Sequence, residues 1–219
     1  MRFLVPFLLL ILPAMAQAGA WPRDHRGVFV SASRTYALSS YGILGDLTSA
    51  YAEYGLTPRL TIGAKLDRSD QVASETVAFA RIPLGRTDRR DVFAAQVGFG
   101  NVRQPGEASV AIIQPALLYG RGFDGWLGSG WIGAEVRASI AAEGRIWGNL
   151  DLTVGFNPTE NSHLIFQVQT WMDEYNHTVT LAPSYVRRLW GPVKTEIGLL
   201  YDPARPDYYG VKGGVWIEF

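Results

Sequence analysis

The 219-residue sequence contains no cysteine. That excludes a disulfide framework, a thiolate zinc site, a thiol nucleophile and a diacylglycerol-anchored N-terminus. A surplus of charge is missing too, because 20 Lys and Arg balance 20 Asp and Glu. A nucleic-acid binder needs excess positive charge to displace counterions from phosphates, so no nucleic-acid partner is expected. Charged residues make up only 18% of the chain, against roughly 25% in soluble proteins. With three histidines, general-base chemistry has three candidates: His25, His163 and His177. Past residue 20 no apolar run approaches the ~20 residues of a membrane-spanning helix, and no long stretch keeps a helical period.

What the chain does contain begins with an export signal. Met1 and Arg2 precede the apolar run FLVPFLLLILPAM, and AQAGA offers small-residue cleavage sites after Ala18 and after Ala20. The expected organisation is a signal peptide over 1–20 and an exported domain over 21–219. The apolar run is too short for an anchor and is interrupted by two prolines.

Alternation of period two fills the exported part, most clearly at its end. Tyr209, Val211, Gly213, Val215, Ile217 and Phe219 form one face; Tyr208, Gly210, Lys212, Gly214, Trp216 and Glu218 form the other. Reading backwards, strands starting near Val193, Val179, Leu164, Ile146 and Ile132 repeat the rule. In the N-terminal half, strands are expected over 27–34, 47–56, 59–67, 73–84, 92–103 and 108–120, separated by turn sequences such as GLTPR, RQPGE and GFDGW. A crossing strand of about 9–11 residues and a connection of about 4–6 consume roughly 15 residues. The segmentation gives twelve strands, with ten or fourteen also compatible.

A soluble β-sandwich would alternate as well, but its strands would be shorter, about five or six residues. Acidic and basic residues avoid the midspan of the apolar faces; Arg34, Arg103 and Arg187, which share that parity, are expected at strand ends. A Lys or Arg at the bilayer midplane on the lipid side costs about 2–4 kcal/mol, falling towards zero at the interface. The fold expected is an all-β, antiparallel, up-and-down transmembrane barrel, the one form in which a sheet satisfies its backbone in hydrocarbon.

Export signal, paired amphipathic strands and the terminal YYGVKGGVWIEF together resemble a Gram-negative outer-membrane β-barrel protein. That resemblance implies an outer-membrane location and contact with its lipid. It also implies that Tyr209, Val211, Val215, Ile217 and Phe219 are read by the barrel-assembly machinery after periplasmic chaperones deliver the chain. Both termini would face the periplasm, and the barrel is expected to be a monomer.

By the same parity the inward acids are Glu53, Asp67, Glu135, Asp151, Asp173, Glu196 and Glu218. The inward bases are Lys65, Arg81, Arg137, Arg145, Arg188, Lys194 and Lys212. An ion-selective pore would bias its lining to one sign; a balanced lining points to cross-barrel ion pairs. Trp131, Trp147, Trp171 and Trp216 also face inward, as an aromatic track for a ring-bearing solute such as a sugar or as plain packing.

The leading function is a narrow channel or structural barrel passing at most small solutes, with no cofactor. One rival is a lipid-modifying enzyme using His177, at the outer rim beside Asp173, Glu174 and Asn176. Against it, the loop holds no serine, and Ser184 lies farther along the strand with opposite parity. The cluster DEYNH over 173–177 could also be read as a hard-cation site, on thin grounds. A second rival is a carrier for apolar compounds, motivated by the inward Val77, Phe79, Ile112 and Leu118.

Overall fold

Backbone groups in hydrocarbon have no water to bond, and a sheet pairs them all only by closing on itself. The structure, a computed structural model, describes residues 19–39, 42–125 and 128–219 and closes in that way. Its twelve strands are β1 (Val28–Ser39), β2 (Gly42–Thr57), β3 (Leu60–Arg68), β4 (Ser74–Leu84), β5 (Asp91–Arg103), β6 (Val110–Gly125), β7 (Gly128–Ala141), β8 (Ile146–Thr159), β9 (Ser162–Met172), β10 (His177–Trp190), β11 (Val193–Tyr201) and β12 (Tyr209–Glu218). Each pairs antiparallel with its chain neighbour, and β1 pairs with β12. The expected barrel and its strand count are both observed.

The seam is zipped from Phe29 opposite Glu218 to Leu38 opposite Tyr209. The last residue adds a final rung. Val28 N–H donates to the Phe219 carbonyl at 2.6 Å, and Phe219 N–H donates to the Val28 carbonyl at 3.1 Å.

A period-two chain wound into a cylinder must separate its neighbours into two environments. Two consecutive leucines show the result: Leu117 is 62% exposed on the outer wall and Leu118 is 2% exposed within. The outer wall carries Phe93, Phe99, Val136, Leu152, Phe166 and Ile197, a greasy skin of the kind a membrane covers. Phe123 and Phe156 pack edge to face on β6 and β8 near the end that bears both termini, and Tyr201 opposes Tyr209 at the far end.

The first hairpin departs from the sequence expectation. Where the segmentation gives strands 27–34 and 47–56, β1 runs to Ser39 and β2 starts at Gly42, leaving a connection of residues 40–41. A register shift between Ala37 and Leu38 offsets the alternation, so the segment 35–46 reads as a loop although it is paired. Arg34 therefore sits within β1 and not at its end. Its cost is relieved locally: the guanidinium bonds Asp46 at 2.9 Å and lies over the Tyr36 ring at 5.3 Å. β6 likewise continues to Gly125, beyond the expected limit of 120.

Inside, two apolar layers line the wall. Val92, Ala94, Ala116, Leu118, Trp131, Ile165 and Val186 pack together nearer the terminal end, with Trp216 against them. Val77, Val102, Ile112 and Ala141 form a second cluster towards the far end. Val77, Ile112 and Leu118 are thus held in packed clusters, and Phe79 stacks on Tyr51 at 5.6 Å. The residues that motivated an apolar carrier are wall packing, not the lining of an apolar tunnel.

Candidate functional site

The floor of the lumen is built by residues that precede the first strand. Ala20 and Trp21 are buried in the terminal-end cluster, inside the barrel. The Trp21 ring occupies the space that a side chain at residue 120 would fill, so the inward position on β6 is Gly120. Arg23 N–H donates to Thr61 Oγ1 at 2.9 Å on β3. Its guanidinium bonds Glu53 on β2 and, at 2.7 Å, Glu218 on β12, and it lies 4.6 Å from the Phe29 ring centre. The segment therefore spans the cross-section, apolar towards β6 and ionic towards β2 and β12. It then turns back: Gly27 N–H donates to the Asp24 carbonyl at 2.8 Å, and Arg26 adopts φ 69° to make the bend. Gly55 lies against this turn, where a β-carbon would collide with the Asp24 carbonyl. Residues 1–18, most of the expected signal peptide, lie outside the described residues; its last two, Gly19 and Ala20, belong to this floor.

Above the floor the charges occur in partnered sets. Glu53 accepts from Arg81, Arg23 and the Tyr51 hydroxyl, and Glu218 pairs with Lys194 at 3.2 Å. Lys212 bonds Glu196 at 3.0 Å, and the Trp216 indole N–H donates to the same carboxylate at 3.1 Å. Towards the far end, Lys65 bonds Asp67 at 2.9 Å and Glu75 at 3.3 Å, and Arg137 bonds Glu135 at 2.7 Å. Asp151 stands 3.9 Å from Arg137. Glu53, Glu218, Glu196 and Glu75 each meet more than one donor, which offsets the cost of burying their charge. Neither sign dominates.

Three contiguous cavities fill the remaining lumen. A mouth of about 1240 Å³ is bordered by Trp147, Trp171, Tyr175, Asp173 and Glu75. It shares Lys65, Asp67, Arg137 and Trp171 with a middle chamber of about 550 Å³. That chamber shares Tyr51, Ser184, Glu196 and Lys212 with a lower one of about 280 Å³, which ends on Gly19, Arg23 and Trp131. A separate apolar cleft of about 400 Å³ lies beside the mouth between Leu38, Leu44, Val72 and Leu200.

Three expected lining residues stand at the rims. Arg145 lies in the turn before β8 and bonds Glu143 at 2.6 Å, and Arg188 is exposed near the end of β10. Asp173 follows β9 and reaches only the mouth. Its Oδ1 accepts the Tyr175 and Asn176 backbone N–H groups at 2.8 and 2.7 Å, which holds this carboxyl below the usual aspartate range. Parity cannot foresee Arg145 and Asp173, because it continues past a strand's end only on paper, and Arg188 stands at the register shift that ends the β10–β11 pairing.

His177 opens β10 on the outer face, opposite Met172, with no serine in hydrogen-bond contact among the described residues. Ser184 Oγ is buried and has no hydrogen-bond partner among the described residues. A nucleophile and its base need contact, and His177 and Ser184 have none. No group of three or more metal-ligating side chains occurs among the described residues.

No protein-family profile matches the sequence, and no curated protein is similar to it in sequence. Solved structures are similar in shape. A KdgM porin matches 86% of this chain and 99% of its own, at 10% identity and a TM-score of 0.62. The same porin in complex with disordered oligogalacturonate matches to the same extent. The COG4313 outer membrane channel from Pseudomonas putida F1 matches 93% of this chain and 98% of its own, at 10% identity and a TM-score of 0.61. The likeness is one of fold. The chain has the outer-membrane β-barrel fold.

Proposed function

We propose that this protein is a narrow outer-membrane channel for small polar solutes, closed at its periplasmic end by residues 19–27. The reading rests on one observation above all: cavities bordered by charged and hydroxyl side chains as well as aromatic ones run without a break from the far mouth down to Gly19 and Arg23. A purely structural barrel has no need of that space, since side chains can fill a barrel of this size. The termini face the periplasm in this reading, so the mouth bordered by Trp147 and Trp171 faces the outside. The channels among its structural neighbours agree with it.

Planar-bilayer recording tests the proposal. Wild-type protein is expected to show small, infrequent openings, and a variant lacking residues 19–23 is expected to show larger and longer ones. Silence from both proteins, inserted and folded, would remove the channel reading.

A further inference from the structure

The lumen has two unlike walls where the middle chamber meets the mouth. On β8 and β9, Trp171 sits opposite Asn149, and Trp147 is the next inward residue on β8, diagonal to Trp171. Trp171 borders both the mouth and the middle chamber, and neither indole makes a ring-to-ring contact with another aromatic residue among the described residues. Below them Gln167, Gln169 and Asp151 line the same wall. Across the chamber, β1 and β2 present Ser31, Ser33, Thr35 and Ser49, while on β10, beside β9, Thr178 sits opposite Trp171 and Thr180 opposite Gln169. None of these six hydroxyls is hydrogen-bonded to another protein group among the described residues.

The depth of each tryptophan separates binding from packing. Trp131 and Trp216 belong to the packed terminal-end layer, whereas Trp171 faces open volume. The charged groups bordering the middle chamber are Lys65, Arg137 and Lys212 against Asp67, Asp151 and Glu196, three of each sign. This chamber neither concentrates an anion nor a cation. It offers an aromatic face, amides, a carboxylate and a bank of unengaged hydroxyls, in a volume within the ~300–1,000 Å³ of small-molecule sites.

We propose that this chamber binds a neutral saccharide, one pyranose ring lying on Trp171 with its hydroxyl groups bonded by Asn149, Asp151 and Thr178 beside the ring and by the Ser31, Ser33, Thr35 and Ser49 wall facing it. A pyranose has an apolar C–H face and a polar rim, which is the complement of those two walls. The inference rests on the channel reading for its biological sense but not for its test.

Saturation-transfer NMR with maltose, on protein folded in a non-glycosidic detergent, reads binding without requiring conduction. The expected result is transfer to the ring C–H protons, with affinity about tenfold weaker in Trp171→Ala, the scale of one lost aromatic face, and largely restored in Trp171→Phe. Galacturonate is expected to compete poorly. Equal transfer in wild type and Trp171→Ala, no transfer at all, or tighter binding of galacturonate than of maltose would each overturn the assignment. A barrel that conducts yet fails this test loses the saccharide and keeps the channel; a silent barrel that passes it keeps the site alone.

Discussion

Glu53 is surrounded by more donors than any other acid in the lumen, taking Arg81, Arg23 and the Tyr51 hydroxyl at once. Glu53 and Arg81 come from β2 and β4 and meet across β3, opposite Gly63 and Thr61 respectively, with the Phe79 ring lying over Gly63. Removing one member of a buried, hydrogen-bonded pair strands the other and costs about 3–5 kcal/mol. Arg81→Ala is therefore expected to lower the temperature at which the folded band is lost on heat-modifiability gels, and Glu53→Gln to do so less. Alternation alone puts Glu53 and Arg81 on the inner faces of their strands. What alternation does not contain is which acid meets which base, since that depends on the register across an intervening strand. Asp173 offers a pH test at the same scale. Its folded pKa is depressed by two backbone N–H groups, so its contribution is present above the ordinary aspartate pKa of ~3.9 and lost as pH falls through the lower folded value. Protection of the Tyr175 and Asn176 amides, taken relative to the intrinsic exchange rate at each pH, is expected to hold at and above the ordinary aspartate pKa of ~3.9 and to fall as pH drops through the lower folded value; loss of that protection at neutral pH would contradict the capping role.

The N-terminal segment is the element on which the account of function turns, and the sequence gives little notice of it. Nothing in GAWPRDHRG alternates, so the residues between the cleavage sites and β1 read as a tail. The only trace is indirect: inward glycines at 55 and 120, whose missing side chains make space for Asp24 and Trp21. Burying a large aromatic ring stabilises by about 3–5 kcal/mol relative to alanine. Trp21→Ala is thus expected to loosen the segment and expose Arg23 to periplasmic-side trypsin, while Gly120→Ala, which leaves the segment's own sequence intact, does the same by occupying the ring's place. Cutting after Ala18 would keep Ala20 in this packing; cutting after Ala20 would remove it. The last strand was more legible, and the structure adds a second reason for its terminal aromatic residue. Besides any reading by the assembly machinery, Phe219 makes both backbone bonds of the final seam rung. Deleting it is expected to destabilise protein refolded without that machinery by about 1–3 kcal/mol, two hydrogen bonds' worth.

At the scale of the whole molecule, twelve strands follow one pattern because a closed sheet leaves them no other way to divide lipid from polar interior. The exception is instructive. Arg34 and Asp46 interrupt the greasy skin as a bonded pair beside Tyr36, which lowers the penalty that a single charge would carry there. Because the chain has no cysteine, single-cysteine spin labels report the two environments without background. The decisive measurement is their collision with oxygen and with a water-soluble nickel chelate, for protein in bilayers with residues 19–23 deleted. Labels at Leu117 and Val136 are expected to meet oxygen and exclude nickel, and labels at Ser49 and Thr180 the reverse. Matching accessibilities at all four positions would contradict a lipid-seated cylinder around a polar lumen.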